Sequence, residues 1–135
     1  MRSAFLTLLF VLPLAACDSP DAPAQTGVCW RLQQGADGQV SFAPLERNVG
    51  SLETCAVLLE ARRLKGEPGT DGAYQGYFVF AEPAGISSAQ RLQGFRFPIF
   101  QPPQRAAVDR DLLRVMRENG GRPPTATEIT VERNN

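Results

Sequence analysis

Three cysteines and a few carboxylates are the residues on which any chemistry in this chain would have to rest. The 135 residues include no histidine, which removes the commonest general base and the commonest metal ligand together. A Ser-His-Asp or Cys-His arrangement cannot be assembled, and the pattern points to no metal centre and no cofactor. Glu53 and Glu60, seven residues apart on one helical face, and Asp109 and Asp111 on a second helix are the acids that could be paired for acid–base work, as in a glycosidase cleft. Each has an arginine or lysine nearby, so exposed, solvated helix faces account for them and no catalytic residue is assigned. Cys29 and Cys55 are expected to form a disulfide, the usual outcome for two cysteines of a small domain in an oxidising compartment, to which the leader described below directs the chain. Unpaired core thiols and a redox-active pair are the alternatives, the latter without a C-x-x-C spacing to support it.

Aromatic residues form the other concentration of chemistry. Tyr74, Tyr77, Phe78, Phe80, Phe95, Phe97 and Phe100 crowd two neighbouring segments. They could line a groove for a small ligand, with Tyr74, Tyr77 and Arg96 at its wall, or fill the core of a small domain. Phe97, Ile99 and Phe100 beside Pro98 are the expected rim of a partner-binding surface. No G-x-x-x-x-G-K-[ST] loop accompanies them, so phosphate cradling of that kind is not indicated.

The elements that must position these residues follow from periodicity. Val28 to Gln33 and Gln39 to Leu45 read as strands joined by a turn at Ala36-Asp37-Gly38, since Asp-Gly accepts positive φ angles. Ser51 to Lys65 reads as a helix, capped by Asn48 or Ser51 and stopped by Gly66, with Leu52, Cys55, Ala56 and Leu59 on one stripe. Tyr74 to Ala81 is expected as one strand buried on both faces from Tyr77 to Phe80. Glu82 to Ser88 reads as a connection, and Arg91 to Phe100 as a strand with Phe95, Phe97 and Ile99 inward. Pro44 and Pro98 lack amide donors and favour edge positions. Gln104 to Asn119 reads as a second helix with Val108, Leu112, Val115 and Met116 inward. The expected fold is α+β: a small antiparallel sheet of two hairpins with two helices packed on one face of it, in the order β-β-α-β-β-α.

The N-terminus says where such a domain works. Met1-Arg2 is a short basic start, and Ala4 to Leu14 is an apolar segment too short to span a bilayer. Leu14-Ala15-Ala16-Cys17 at its end resembles the lipobox of bacterial lipoproteins. The resemblance covers only the leader. It implies cleavage before Cys17, diacylglycerol on the Cys17 thiol, and three acyl chains in all, which hold more firmly than a single chain. By the same resemblance, Asp18 implies retention in the inner membrane, with the domain facing the periplasm.

The expected organisation is therefore a signal peptide over residues 1–16, a lipidated cysteine and disordered tether over 17–27, a domain over 28–119, and a polar tail over 120–135. Glu128 to Glu132 in that tail reads equally as a late edge strand or a frayed end. The mature chain carries thirteen basic and fourteen acidic residues, a balance that offers no basic stripe for nucleic acid. These readings favour a membrane-anchored envelope lipoprotein that binds a protein partner without catalysis. The alternative is a small-ligand-binding or weakly catalytic domain using the aromatic strands 74–80 and 95–100.

Overall fold

Alternating apolar residues and tight turns build a six-stranded antiparallel sheet, seen in a computed structural model that describes residues 19–129. The leader, Cys17, Asp18 and residues 130–135 lie outside the described residues. Strands β1 (Val28–Gln34), β2 (Val40–Arg47), β3 (Gly72–Tyr74), β4 (Tyr77–Glu82), β5 (Gly85–Ala89) and β6 (Phe97–Pro98) are ordered β2-β1-β3-β4-β5-β6 across the sheet. Helices α1 (Leu52–Leu64) and α2 (Pro102–Glu118) complete an α+β fold. Pro44 and Pro98 both lie on edge strands, as their missing amides require.

The segment expected as one strand, Tyr74 to Ala81, is instead a hairpin. Gln75 and Gly76 both take positive φ, 45° and 85°, and fold β3 against β4 so that Tyr74 opposes Tyr77. Two positive φ angles are what a tight hairpin matched to strand twist demands. Further on, Pro83 and Ala84 turn the chain directly into β5, where a connection was expected. The long strand expected over Arg91 to Phe100 shrinks to β6, which pairs Phe97 with Ser88 and Pro98 with Ser87. A turn from the Gly94 amide to the Arg91 carbonyl at 2.9 Å takes the preceding residues out of the ladder.

Helix α1 starts where Ser51 Oγ accepts the Thr54 amide at 3.1 Å, and it packs on the sheet through Cys55, Ala56, Leu58 and Leu59. The Cys29–Cys55 disulfide joins β1 to α1 with their Cα atoms 5.3 Å apart. Gly72 sits at the tightest point of this contact. A Cβ there would fall on the Trp30 carbonyl and lie 2.8 Å from Leu59 Cδ1, so only glycine lets β3 and α1 approach. Helix α2 begins two residues before the expected start, with Pro102 and Pro103 in its first turn, where a missing amide costs nothing. Its Leu112 and Met116 pack on Val57 and Ala61, so α2 lies chiefly against α1, which is covered from two sides.

The opposite face of the sheet is also apolar. Phe78, Phe80, Ala73 and Ala89 are buried there beside Trp30, Leu32 and Phe42. Cover comes from Leu92 and from the N-terminal segment, which corrects the expectation of a disordered tether over 17–27 for its described part. Ala22 is buried against this face. The Pro23 carbonyl accepts the Gly76 amide at 2.9 Å, and the Gly27 amide donates to Gln75 Oε1 at 3.0 Å. The folded unit also continues past residue 119. Ala126 and Ile129 pack on the core, the Ala126 amide donates to Glu46 Oε1 at 2.7 Å, and Ala126–Glu128 forms a 3-10 turn, while residues 130–132 of the strand expected over Glu128 to Glu132 lie outside the described residues.

Candidate functional site

Two features stand out from ordinary packing: a buried ion network between the helices and an exposed aromatic cluster at one end of the sheet. The network centres on Glu60, which the sequence placed on an exposed face together with Glu53, Asp109 and Asp111. Glu53 and Asp111 are exposed and Asp109 is half-buried, but Glu60 is 0% exposed. The reason is tertiary: α2 lies over the turn of α1 that carries Glu60, whereas the turn carrying Glu53 stays open. Arg63 grips the carboxylate with two bonds, Nε to Oε2 at 2.9 Å and Nη2 to Oε1 at 2.7 Å. Arg105 of α2 adds Nη2 to Oε1 at 2.7 Å and uses its Nε to hold Asp109 at 3.0 Å.

Burial pushes the Glu60 carboxyl above its ordinary range of 4.5, Arg63 pulls it down, and Asp109 opposes ionisation. The net direction is upward. Two guanidiniums and two carboxylates satisfy one another, and Glu60 is closed to solvent. That arrangement ties α2 to α1. A general acid would need a face open to substrate, and Glu60 has none.

The aromatic cluster involves several residues singled out by the sequence. Tyr74 is 5% exposed and spends its hydroxyl on the Val49 carbonyl at 2.7 Å, so it lines no surface. Tyr77 is 44% exposed. Arg96 runs along the other face, its guanidinium 3.8 Å from the Phe80 ring centre, and reaches Glu82 at 2.7 Å. Tyr74, Tyr77 and Arg96 therefore form no common wall. Ile99 and Phe100 are half-buried against the core, leaving Phe97 as the exposed member of the expected rim.

Phe97 has a partner the sequence placed inside. Phe95, expected to face inward, is 79% exposed, and Phe97 is 58% exposed. Their rings meet edge to face with centres 5.0 Å apart. Phe97 opposes Ser88, which opposes Val79, so the pleat puts Phe97 on the same side of the sheet as Tyr77. All three aromatics stand at the end of the sheet formed by the Gln75-Gly76 turn and the 90–96 loop. The missed signal was Gly94, whose amide closes a turn on the Arg91 carbonyl, so that the chain joins the ladder only at Phe97.

Among the described residues no helix is long and apolar enough to cross a membrane. No group of three or more His, Cys, Asp or Glu side chains among them is placed to hold a metal ion. No protein-family model matches this chain, and comparison with curated proteins and with solved structures finds no match either.

Proposed function

We propose that this chain is an exported, lipid-anchored protein of the bacterial cell envelope, held at the membrane by acylated Cys17 and facing the periplasm. In this reading it works by contact with an envelope protein rather than by catalysis. The observation that carries the proposal is the leader ending in Leu14-Ala15-Ala16-Cys17. The Cys29–Cys55 disulfide supports it, because such a bond persists in an oxidising compartment. The fate of Glu60 supports the contact mode, since its carboxylate is committed to Arg63 and Arg105. The ligand-binding alternative has less to stand on: Tyr74, Phe78 and Phe80 are spent on the core.

Intact mass of the mature chain tests the anchor. Cys17 is expected as an acylated N-terminal residue, and Cys17→Ser protein should no longer fractionate stably with membranes. A mature chain carrying an unmodified Cys17 would refute the reading. Photo-crosslinking in native membranes then tests contact, with a discrete protein adduct expected for the wild type and lost for Cys17→Ser.

A further inference from the structure

The docked N-terminal segment limits where the domain can sit relative to a membrane, and this bears on the exposed aromatics. Ala22 is buried on the sheet, and Pro23 is bonded to Gly76 at the turn between β3 and β4. Only four residues separate Cys17 from Ala22, and the five Cα-to-Cα steps between them span about 18 Å at full stretch. A domain of this size is roughly 30 Å across. If Cys17 carries the lipid, the tether is shorter than the body it holds. The end of the sheet nearest Gly76 must then stay at the bilayer surface.

That is the end where Tyr77, Phe95 and Phe97 emerge. The register fixes this independently of any anchor. Tyr74 opposes Tyr77 beside the Gln75-Gly76 turn, Phe78 opposes Ala89, and Phe97 opposes Ser88, so the 90–96 loop leaves the sheet at the same end. Among the described residues, three of the four exposed large apolar side chains are here, the fourth being Leu113 on α2. Exposed Arg91 lies in the same loop, where a cation suits anionic headgroups. Aromatic rings are the side chains that favour the membrane–water boundary. Arg96 holds the loop down through Glu82 and Phe80, so Phe95 projects from a fixed base.

We infer that this end of the sheet is a second membrane contact, with Phe95 and Phe97 entering the interface of the bilayer that carries Cys17. The inference rests on the anchoring half of the proposed function. Its consequence is orientation. Acyl chains already hold the protein, whereas the aromatic contact fixes which end faces the lipid. The opposite end, with the Asp37-Gly38 and Pro83-Ala84 turns, then points toward the periplasm and its partners.

The test uses the mature, acylated protein in phosphatidylethanolamine–phosphatidylglycerol vesicles with brominated acyl chains. Trp30, the chain's sole tryptophan, gives a baseline common to every variant. Phe95→Trp adds a probe at the aromatic end, and Ala84→Trp adds one at the opposite turn. At the boundary of headgroups and acyl chains, the added emission of Phe95→Trp should fall by roughly half or more, while that of Ala84→Trp is unchanged. Acylated, vesicle-bound protein in which Phe95→Trp is unquenched would overturn the inference and leave the anchor intact. Quenching of Ala84→Trp instead would overturn it as well. Crosslinks from position 95 to a protein rather than to lipid in native membranes would assign the cluster to that protein. An unacylated Cys17 by mass would remove the anchor reading itself, and this inference with it.

Discussion

Replacing Arg105 with methionine removes one charge-assisted bond from a fully buried carboxylate and both bonds to Asp109. Breaking a buried ion pair from one side typically costs 3–5 kcal/mol, because the remaining charge is stranded. Arg63 still holds Glu60 with two bonds, so the lower end applies, about 3 kcal/mol. In a domain of this size each kcal/mol moves the midpoint by about 4–8 °C, so Tm should fall by roughly 12–24 °C. The penalty should also depend on pH. Because the folded carboxyl titrates above its ordinary 4.5, the stability linked to its protonation is fully present below 4.5. It is lost as pH rises through the folded value. A protonated Glu60 is cheaper to leave with one partner, so Arg105→Met should cost more at pH 8 than near pH 4.5. Thermal and urea unfolding with the disulfide kept oxidised measures both effects. The double variant Glu60→Leu/Arg105→Met replaces charge by apolar volume and should recover at least 1 kcal/mol relative to additivity. A Tm change under about 4 °C for the single variant, or simple additivity in the cycle, would refute the reasoning.

Two further outcomes are expected. Cys29→Ala opens a bridge between residues 26 apart and should lower stability by about 3.5 kcal/mol in the chain-entropy model, read as a lower urea midpoint with a steeper slope, because the unfolded chain without the bridge exposes more surface. Glu128, held by Arg122 and by the Thr125 amide, titrates at about 2, well below its ordinary 4.5. The stability it contributes is present above pH 4.5 and lost as pH falls toward 2. Carboxyl-carbon NMR of Glu128 should show that low midpoint, and a midpoint near 4.5 would mean that the Arg122 pair does not persist in solution.

Local signals were legible and tertiary ones were not. The stripe of α1, its Ser51 cap and its stop at Gly66 are determined within a few residues, and the structure follows them. Gln75-Gly76 was missed because glutamine is an uncommon hairpin residue and aromatics on both sides mimic one continuous buried strand. Glu60 could not be read as buried from α1 alone, since its cover belongs to another helix. Ala22 presents the same problem with a cue attached. Tyr77 to Phe80 read as apolar on both faces, and helices were expected on one face only. Something else had to shield the other face, and the Pro-rich segment does. Phe95 misled for a different reason: inward–outward alternation has meaning only while a sheet is present, and the ladder begins at Phe97.

The two borders of the sheet have a consequence for how copies of this protein meet. A strand with one free side offers unpaired amides and carbonyls as a template for another chain, and proteins crowded together are exposed to that hazard. Here β6 is two residues long and one of them is Pro98, which has no amide to give. The other border, β2, is interrupted by Pro44, closes with Glu46 and Arg47, and has the Glu46 carboxylate taken by the Ala126 amide. What is left for strand-wise growth is the short stretch from Val40 to Ala43, of which Ser41 is exposed and polar. Side-by-side polymerisation would have to start there, and four residues are a poor foothold.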